Sequence, residues 1–140
     1  MALDFGAVKV GDELPERSNR VDRAQLVMYA GASGDFNPIH WNEEFARMVG
    51  LPGVISHGMF TMALVTRMLA DWVGDVAPVR SVSVQFRKEV LPEETVVARG
   101  RVVEKDDASR TVTVELWAEL TRDGEILKPI KNGRAVLTLP

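Results

Sequence analysis

A long apolar stretch near the middle of the chain limits the possible folds more than any other feature. Residues 59–73 (MFTMALVTRMLADWV) are typical of one helix, and apolar or small side chains lie on nearly all of its faces. A helix without a polar face is buried on most of its sides. In a domain of 140 residues, only a sheet wrapped around this helix can cover it in that way.

The second half of the chain is predicted to supply such a sheet. Residues 79–87 alternate with a period of two, with Val82, Val84 and Phe86 on one face and polar side chains on the other. Three further strands are predicted, over residues 95–104, 110–121 and 126–139.

The last predicted strand has two unusual features. Asp123-Gly124 precedes it and is typical of a hairpin turn. Pro129 and Gly133 interrupt it, and both residues weaken a strand interior. We therefore expect this strand to be an edge strand or to contain a bulge.

Short helices are predicted in the first half. Asp22 is a good N-cap, with Gln25 at the position that a capping box prefers, and this helix is expected to end at Gly31. Asn42 can cap a second helix over residues 43–49. Residues 1–20 favour a short strand or an extended arm.

The fold class predicted from this order is α+β, in a single domain over residues 1–140, because helices come early and antiparallel strands come late. Hydrophobic residues make up 46% of the chain and charged residues 26%, as in ordinary globular proteins. The net charge of −3 and the lack of any Lys/Arg run argue against nucleic acid or a membrane surface as a partner.

Composition also limits the chemistry and the location of the protein. The absence of cysteine excludes disulfides and thiolate sites, and with only two histidines a metal site is not expected. There is no basic segment followed by an apolar core at the start, and no apolar run of membrane-spanning length. A cytoplasmic protein without membrane insertion is therefore expected.

Residues 29–40 (YAGASGDFNPIH) form the densest group of conformationally special residues in the chain. Gly31 and Gly34 permit backbone conformations that a side chain would penalise, and Pro38 fixes its own φ. A shaped loop is therefore predicted, carrying Asp35 and His40. These two can form an acid/base site, or they can be turn residues whose side chains bond the local backbone.

The same residues resemble the signature of the R-specific enoyl hydratases, in which Ser-Gly-Asp-x-Asn-Pro-aliphatic-His is followed, after five residues, by Ala or Ser, here Ala46. Residues 56–59 (SHGM) look like the second segment of that family, within the wider MaoC-like hotdog group. Residues 9–12, 37–41 and 72–75 are most similar to the catalytic B subunit of mycobacterial (3R)-hydroxyacyl-acyl-carrier-protein dehydratase.

This resemblance implies a hotdog fold, in which a curved antiparallel sheet wraps around one long helix. It also implies reversible syn addition of water to a trans-2-enoyl thioester, giving a (3R)-3-hydroxyacyl thioester, in fatty-acid or mycolic-acid-type elongation. No metal or redox cofactor is needed for this reaction. The implied partners are a thioester on coenzyme A or acyl carrier protein, and a second hotdog subunit in a homodimer or heterodimer.

Roles for individual residues follow from the resemblance and from the chemistry. Asp35 and His40 are expected to hold a water molecule and transfer its protons, in an order that the sequence leaves open. The N–H of Gly58 is expected in the oxyanion hole at the helix N-terminus. His57 can bind substrate or be structural, Ser56 can position Asp35 or the substrate, and Asn37 is expected to shape the loop.

Three other functions remain open at this point. A hotdog acyl thioesterase would hydrolyse the same class of substrate. A non-catalytic acyl-binding partner subunit would keep the fold but lose Asp35 or His40, which this chain retains. A small-molecule binding module would have a pocket without an acid/base pair.

Overall fold

The computed structural model describes residues 3–140, in which five antiparallel strands form one sheet against a long central helix. The helices are α1 (Arg23–Ser33), α2 (Glu43–Met48) and α3 (Gly58–Val73). The strands are β1 (Arg17–Arg20), β2 (Val79–Phe86), β3 (Thr95–Asp106), β4 (Thr111–Arg122) and β5 (Glu125–Thr138). Short 3-10 turns occur at Phe5–Ala7 and Pro38–His40. The predicted α+β fold is confirmed.

The sheet follows the order β1-β3-β4-β5-β2, and α3 contacts all five strands. One side of α3 is fully buried against the apolar face of the sheet, through Thr61, Leu64, Val65, Met68, Leu69 and Val73. Removing each large apolar side chain from water contributes about 1.5–3 kcal/mol. This packing fixes the position of the N-terminus of α3, where the candidate site lies.

The outer side of α3 is more open than the apolar pattern predicted. Met59 is 56% exposed, Ala63 and Arg67 are exposed, and Met62 and Thr66 are half-buried. The prediction that the helix is buried on most sides is therefore wrong for this face. The sheet covers only one side of the helix, and the other side forms one wall of a groove.

Helix α1 begins as predicted and ends later than predicted. Asp22 is its N-cap, and the Asp22 carboxylate accepts a hydrogen bond from the Gln25 amide at 2.8 Å. The helix continues through Gly31 to Ser33, and Gly34 is the C-cap with a left-handed φ of 75°. Gly31 does not have a positive φ. The expected end at Gly31 is wrong because a glycine inside a helix is tolerated at about 1 kcal/mol.

Strand β5 is an internal strand between β4 and β2, so the prediction of an edge strand is wrong, whereas the predicted bulge is confirmed. The pairing of β5 with β4 shifts register near Leu116, and Asn132 has a left-handed φ of 49°. A Cβ on Gly133 would stand 2.5 Å from the Leu116 carbonyl oxygen, which explains the glycine. The edges of the sheet are β1 and β2.

The predicted N-terminal arm corresponds to a 3-10 turn and the short strand β1, although its first two residues lie outside the described part of the chain. Within residues 3–140, no helix combines the length and the apolar character needed to cross a membrane.

Candidate active site

The loop after α1 is shaped by side chain-to-backbone hydrogen bonds. The Asp35 carboxylate oxygen Oδ1 accepts a hydrogen bond from the Asn37 amide at 3.2 Å, and Asn37 Oδ1 accepts one from the Ile39 amide at 3.2 Å. Asn37 thereby caps the 3-10 turn that ends at His40. This agrees with the prediction that Asn37 shapes the loop.

His40 is held from one side and faces Asp35 on the other. Its ring is buried, and its Nδ1 lies 2.7 Å from the carbonyl oxygen of Ile55. Because a carbonyl oxygen can only accept, Nδ1 carries the hydrogen. Nε2 then presents a lone pair in the neutral ring, 3.7 Å from Asp35 Oδ2.

The Asp35 carboxylate and His40 Nε2 are therefore two acceptors that face each other without a direct hydrogen bond. The side chain of Asp35 is 51% exposed, whereas that of His40 is only 8% exposed. A single water molecule can donate one hydrogen bond to each of these atoms. The arrangement can take a proton from water and return one to a nearby carbon, which is general acid–base chemistry.

His57 lies beneath this pair, with its ring stacked on His40. The ring centroids are 3.8 Å apart, with 23° between the planes, and the edge of Tyr29 contacts His57 at a centroid distance of 4.8 Å. His57 Nε2 lies 3.0 Å from the main-chain oxygen of Asp35. Burial lowers the pKa of His57, and nearby His40 acts in the same direction. His57 is neutral at pH 7 as a result.

Asp35, His40 and His57 offer possible ligand atoms that lie within 4.8 Å of one another. The geometry does not favour a metal ion, because an imidazole binds a metal in the plane of its ring and these two rings are stacked. His40 Nδ1 and His57 Nε2 are also already directed at main-chain oxygens. The cluster fits proton transfer better than metal binding.

The N-terminus of α3 presents main-chain donors beside the histidines. The amides of Phe60 and Thr61 donate to His57 O, whereas those of Gly58 and Met59 have no acceptor among the described residues. This is consistent with the expected oxyanion hole. However, the space at the Gly58 Cα is not open, because a Cβ there would be 3.3 Å from the ring of Phe86.

The position of Ser56 does not fit one of its two expected roles, which was to position Asp35. Its Oγ lies 3.4 Å from His57 O, so its hydrogen bond runs to the adjacent residue and not to Asp35. It lines a cavity of about 220 Å³ next to Gly58 and Phe86. A contact with substrate in this cavity stays a prediction.

Sequence reasoning missed Arg122, which fixes the segment before α3 from a distance. Its guanidinium donates to Glu94 Oε1 at 2.6 Å and to Glu89 Oε1 at 3.0 Å, and it also donates to the Glu89 carbonyl oxygen. The next residue, Val90, accepts a hydrogen bond from the Ser56 amide at 2.8 Å. No local motif in the sequence marks Arg122, because its partners are about 30 residues away.

A groove of about 330 Å³ runs along the outer face of α3, which begins directly after His57. It is lined mostly by apolar side chains, namely Tyr29, Met59, Met62, Ala63, Thr66, Arg67, Ala70 and Val76. The groove therefore places an open apolar surface beside Tyr29, whose ring contacts His57.

A sheet wrapped on one helix, with an aspartate and a histidine at the helix N-terminus, defines a hotdog-fold protein with an acid/base pair. The chain belongs to the family described as MaoC like domain, which matches residues 7–123. The expected family resemblance is thus confirmed.

Curated relatives agree with this family. The chain is 37% identical over 100 residues to 3-hydroxyacyl-thioester dehydratase X of Mycobacterium tuberculosis, covering 71% of this chain and 34% of the relative. It is 34% identical over 95 residues to the peroxisomal enoyl-CoA hydratase 2 of Arabidopsis thaliana, covering 65% and 30%. It is 35% identical over 109 residues to fatty acid synthase subunit beta of Saccharomyces cerevisiae, covering 73% and 5%. The chain thus spans about a third or less of these relatives.

Two solved structures have the same fold. One MaoC-like dehydratase superposes with a TM-score of 0.89 at 34% identity, over 99% of this chain and 43% of that protein. The (R)-hydratase of A. caviae involved in PHA biosynthesis superposes with a TM-score of 0.85 at 24% identity, over 96% and 98% of the two chains. The hotdog fold is confirmed by these likenesses.

Proposed function

We propose that this protein adds water to trans-2-enoyl thioesters and removes it from (3R)-3-hydroxyacyl thioesters. The observation that carries the proposal is the Asp35–His40 pair, whose facing acceptor atoms lie 3.7 Å apart. His40 stacks on His57, and the amides of Gly58 and Met59 that follow have no acceptor within residues 3–140. The names of the plant and mycobacterial relatives, a hydratase and a dehydratase, support the same reaction class.

In the hydration direction, Asp35 and His40 hold the water molecule. One of the two takes its proton while the oxygen attacks C3 of the enoyl group. The negative charge that develops on the thioester oxygen is stabilised by the N–H of Gly58, with the positive end of the α3 dipole behind it. The proton taken from the water is then delivered to C2 by the member of the pair that holds it, directly or after transfer between the two groups, so both end as they began. Delivery is on the same face because both groups lie on one side of the site.

The groove along α3 is a suitable place for the acyl chain. It includes Tyr29, which contacts His57, and its lining is mostly apolar. Burying each CH₂ of an acyl chain contributes about 0.8 kcal/mol. The thioester carrier, coenzyme A or acyl carrier protein, and a role in fatty-acid or mycolic-acid-type elongation in the cytoplasm are also proposed.

The test is the loss of crotonyl-CoA absorbance, with the purified wild type and the variants Asp35→Asn and His40→Ala. Each variant is expected to lose ~10²–10⁴ in kcat/KM while its circular dichroism spectrum is retained. Asp107→Asn is a matched control, because Asp107 lies in the exposed turn between β3 and β4. A folded His40→Ala enzyme within a few-fold of wild type would overturn the proposal.

The same experiment separates the other functions. A thioesterase would release free coenzyme A thiol from crotonyl-CoA, and the added thiol signal would depend on enzyme concentration. A non-catalytic subunit or a binding module would produce neither signal. Enoyl substrates of graded length, on coenzyme A and on acyl carrier protein, would then identify the preferred chain length and carrier.

We also propose that the active form is a dimer, with either a second copy or a related hotdog subunit. Strand β2 is an edge of the sheet, and the outer face of α3 is partly exposed. Unpaired edge strands favour pairing with another chain. One structure of similar fold is the ChsH1-ChsH2 complex from Mycobacterium tuberculosis, at 23% identity and a TM-score of 0.84.

Sedimentation at micromolar concentration tests this assembly. A species of twice 15.5 kDa is expected for the homodimer. An inactive chain that a co-purified partner rescues would instead select the heterodimer. A fully active, monodisperse monomer would refute both forms.

A further inference from the structure

His57 has contacts that differ from those of a substrate-binding residue. It is 1% exposed, so no part of the ring is available to a thioester in this arrangement. Besides the edge of Tyr29, it contacts the two proposed catalytic residues, through the stack on His40 and through Nε2 at the main-chain oxygen of Asp35.

The hydrogen bond to Asp35 determines the tautomer of His57. Because the Asp35 carbonyl oxygen can only accept, Nε2 carries the hydrogen and Nδ1 has a lone pair. That Nδ1 is buried and has no hydrogen-bond partner among the described residues. An unsatisfied buried polar atom is unfavourable, so a purely structural position would be better filled by an apolar side chain.

The stack also matters for charge. If His40 takes a proton during the reaction, an imidazolium forms 3.8 Å above the ring of His57. A neutral aromatic face beneath a cation stabilises it, whereas a second cation at this distance would repel it. Burial keeps His57 uncharged, so its ring does not repel a transient positive charge on the ring of His40.

We propose that His57 is a positioning residue for the Asp35–His40 pair, which anchors the main chain of Asp35 through Nε2–H and supports the ring of His40 from below. This inference rests on the proposed function. It assigns His57 to the geometry of the pair and not to the substrate, which was the other role open from the sequence.

Two variants separate the two contacts. His57→Gln retains an N–H donor at about the distance of Nε2 but has no ring, whereas His57→Phe retains the ring but has no donor. Misplacing a catalytic group by about 1 Å can lower the rate ~10²-fold. We expect His57→Phe to lose ~10²-fold in kcat with less than a few-fold change in KM, and His57→Gln to lose about tenfold.

The pH profile provides a readout that a merely structural role would not move. Because loss of the anchor changes the position of Asp35 relative to His40, the acid limb of kcat/KM is expected to move in His57→Phe. Thr113→Val removes another buried polar side chain, on β4 and away from the site, and should change thermal stability without moving the profile.

Three outcomes would overturn the inference. These are a folded His57→Phe enzyme with wild-type kcat and pH profile, a rise in KM alone, and a larger loss in His57→Gln than in His57→Phe. If His57→Phe does not fold, His57→Asn replaces it, because its shorter amide does not reach the Asp35 oxygen.

Nuclear magnetic resonance keeps the inference testable if the wild type does not hydrate enoyl thioesters. The ¹⁵N shifts of wild-type His57 should identify a neutral ring with the hydrogen on Nε2. Amide exchange at residues 35–37 should be faster in His57→Phe than in His57→Gln. Equal exchange in the two variants would refute the anchoring of Asp35, whatever the reaction of the protein is.

Discussion

The ring of Phe86, on the edge strand β2, lies against Gly58 at the first residue of α3, so that a Cβ on Gly58 would be 3.3 Å from Phe86 Cδ1. Glycine at this position therefore permits two things at once. It leaves the main-chain N–H accessible at the helix N-terminus, and it allows the edge strand to pack closely on the start of the helix.

Substituting Gly58→Val is expected to impair turnover more than stability. The new side chain would push against Phe86 and displace the helix start, and loss of one oxyanion donor lowers kcat by about 10²–10³-fold. Overpacking of this kind lowers the free energy of unfolding by about 1–3 kcal/mol, and we expect the lower end because Phe86 is 49% exposed and can move. Enoyl-thioester turnover and urea unfolding measure the two effects.

The double variant Gly58→Val/Phe86→Ala, with Phe86→Ala alone as its control, tests the cause. Removing the ring should restore turnover by tenfold or more if the contact with Phe86 displaces the helix start. Wild-type turnover in Gly58→Val would instead mean that Gly58 is only a helix-start residue.

Gly31→Ala and Gly34→Ala are expected to have opposite effects on stability. Gly31 is helical, and nothing lies within 4 Å of an added Cβ, so alanine should raise the free energy of unfolding by about 0.5–1 kcal/mol. Gly34 has a φ of 75°, where a side chain is unfavourable by about 1–2 kcal/mol. Urea unfolding of the two variants measures the difference, and equal destabilisation would contradict the helical assignment of Gly31.

The stability of the protein is expected to fall below about pH 6.5 because of His57. Burial lowers the pKa of His57 from its ordinary value of 6.5. Between the folded and unfolded values the unfolded chain binds more protons, so the free energy of unfolding rises with pH in this window. The contribution of His57 is complete above pH 6.5 and is lost as the pH falls through its folded value, with a slope of at most ~1.4 kcal/mol per pH unit.

Urea unfolding of wild type and His57→Phe from pH 7.5 down to pH 5 isolates this contribution as a difference between the two proteins. Carboxylates with lowered pKa values, such as those of Asp71 and Asp106, act at more acidic pH. A difference that does not change with pH in this range would mean that His57 titrates normally.

Glu93 has a left-handed backbone, with a φ of 75°. Glu93→Gly is expected to raise the free energy of unfolding by about 0.5–1 kcal/mol, because a side chain in this conformation is unfavourable by about 1–2 kcal/mol and glycine recovers part of that. The matched variant Glu93→Ala keeps the strain and removes the exposed ion pair with Arg20. A glycine variant less stable than the alanine variant in thermal unfolding would contradict this account.

Local patterns predicted the helices and strands well, because each depends on residues close in sequence. The predicted end of α1 is wrong because two glycines occur three residues apart, and only the C-cap geometry distinguishes Gly34 from Gly31. The predicted edge position of β5 is wrong because β2, which lies about 50 residues earlier in the chain, pairs with it. Such pairing leaves no local signal in the sequence.

The same distinction applies to the site. Asp35, Asn37 and His40 could be found because they lie in one loop with a recognisable spacing. The stack between His40 and His57 could not be predicted, since it depends on how the loop docks on the start of α3. For Gly58, the contact that the sequence could not predict is the one with the ring of Phe86, which lies on strand β2.

The hydrogen bonds of Arg122 have a consequence for the order of folding. Arg122 lies 33 positions after Glu89 and 28 positions after Glu94 in the sequence. His57 and Asp35, which are joined by a hydrogen bond, are 22 positions apart. Contacts between residues distant in sequence form slowly, because the intervening chain must first be closed into a loop. A refolding chain is therefore expected to regain its helical circular dichroism signal before β4 brings Arg122 to the loop that supports Ser56, and enzymatic activity should be the last property to return.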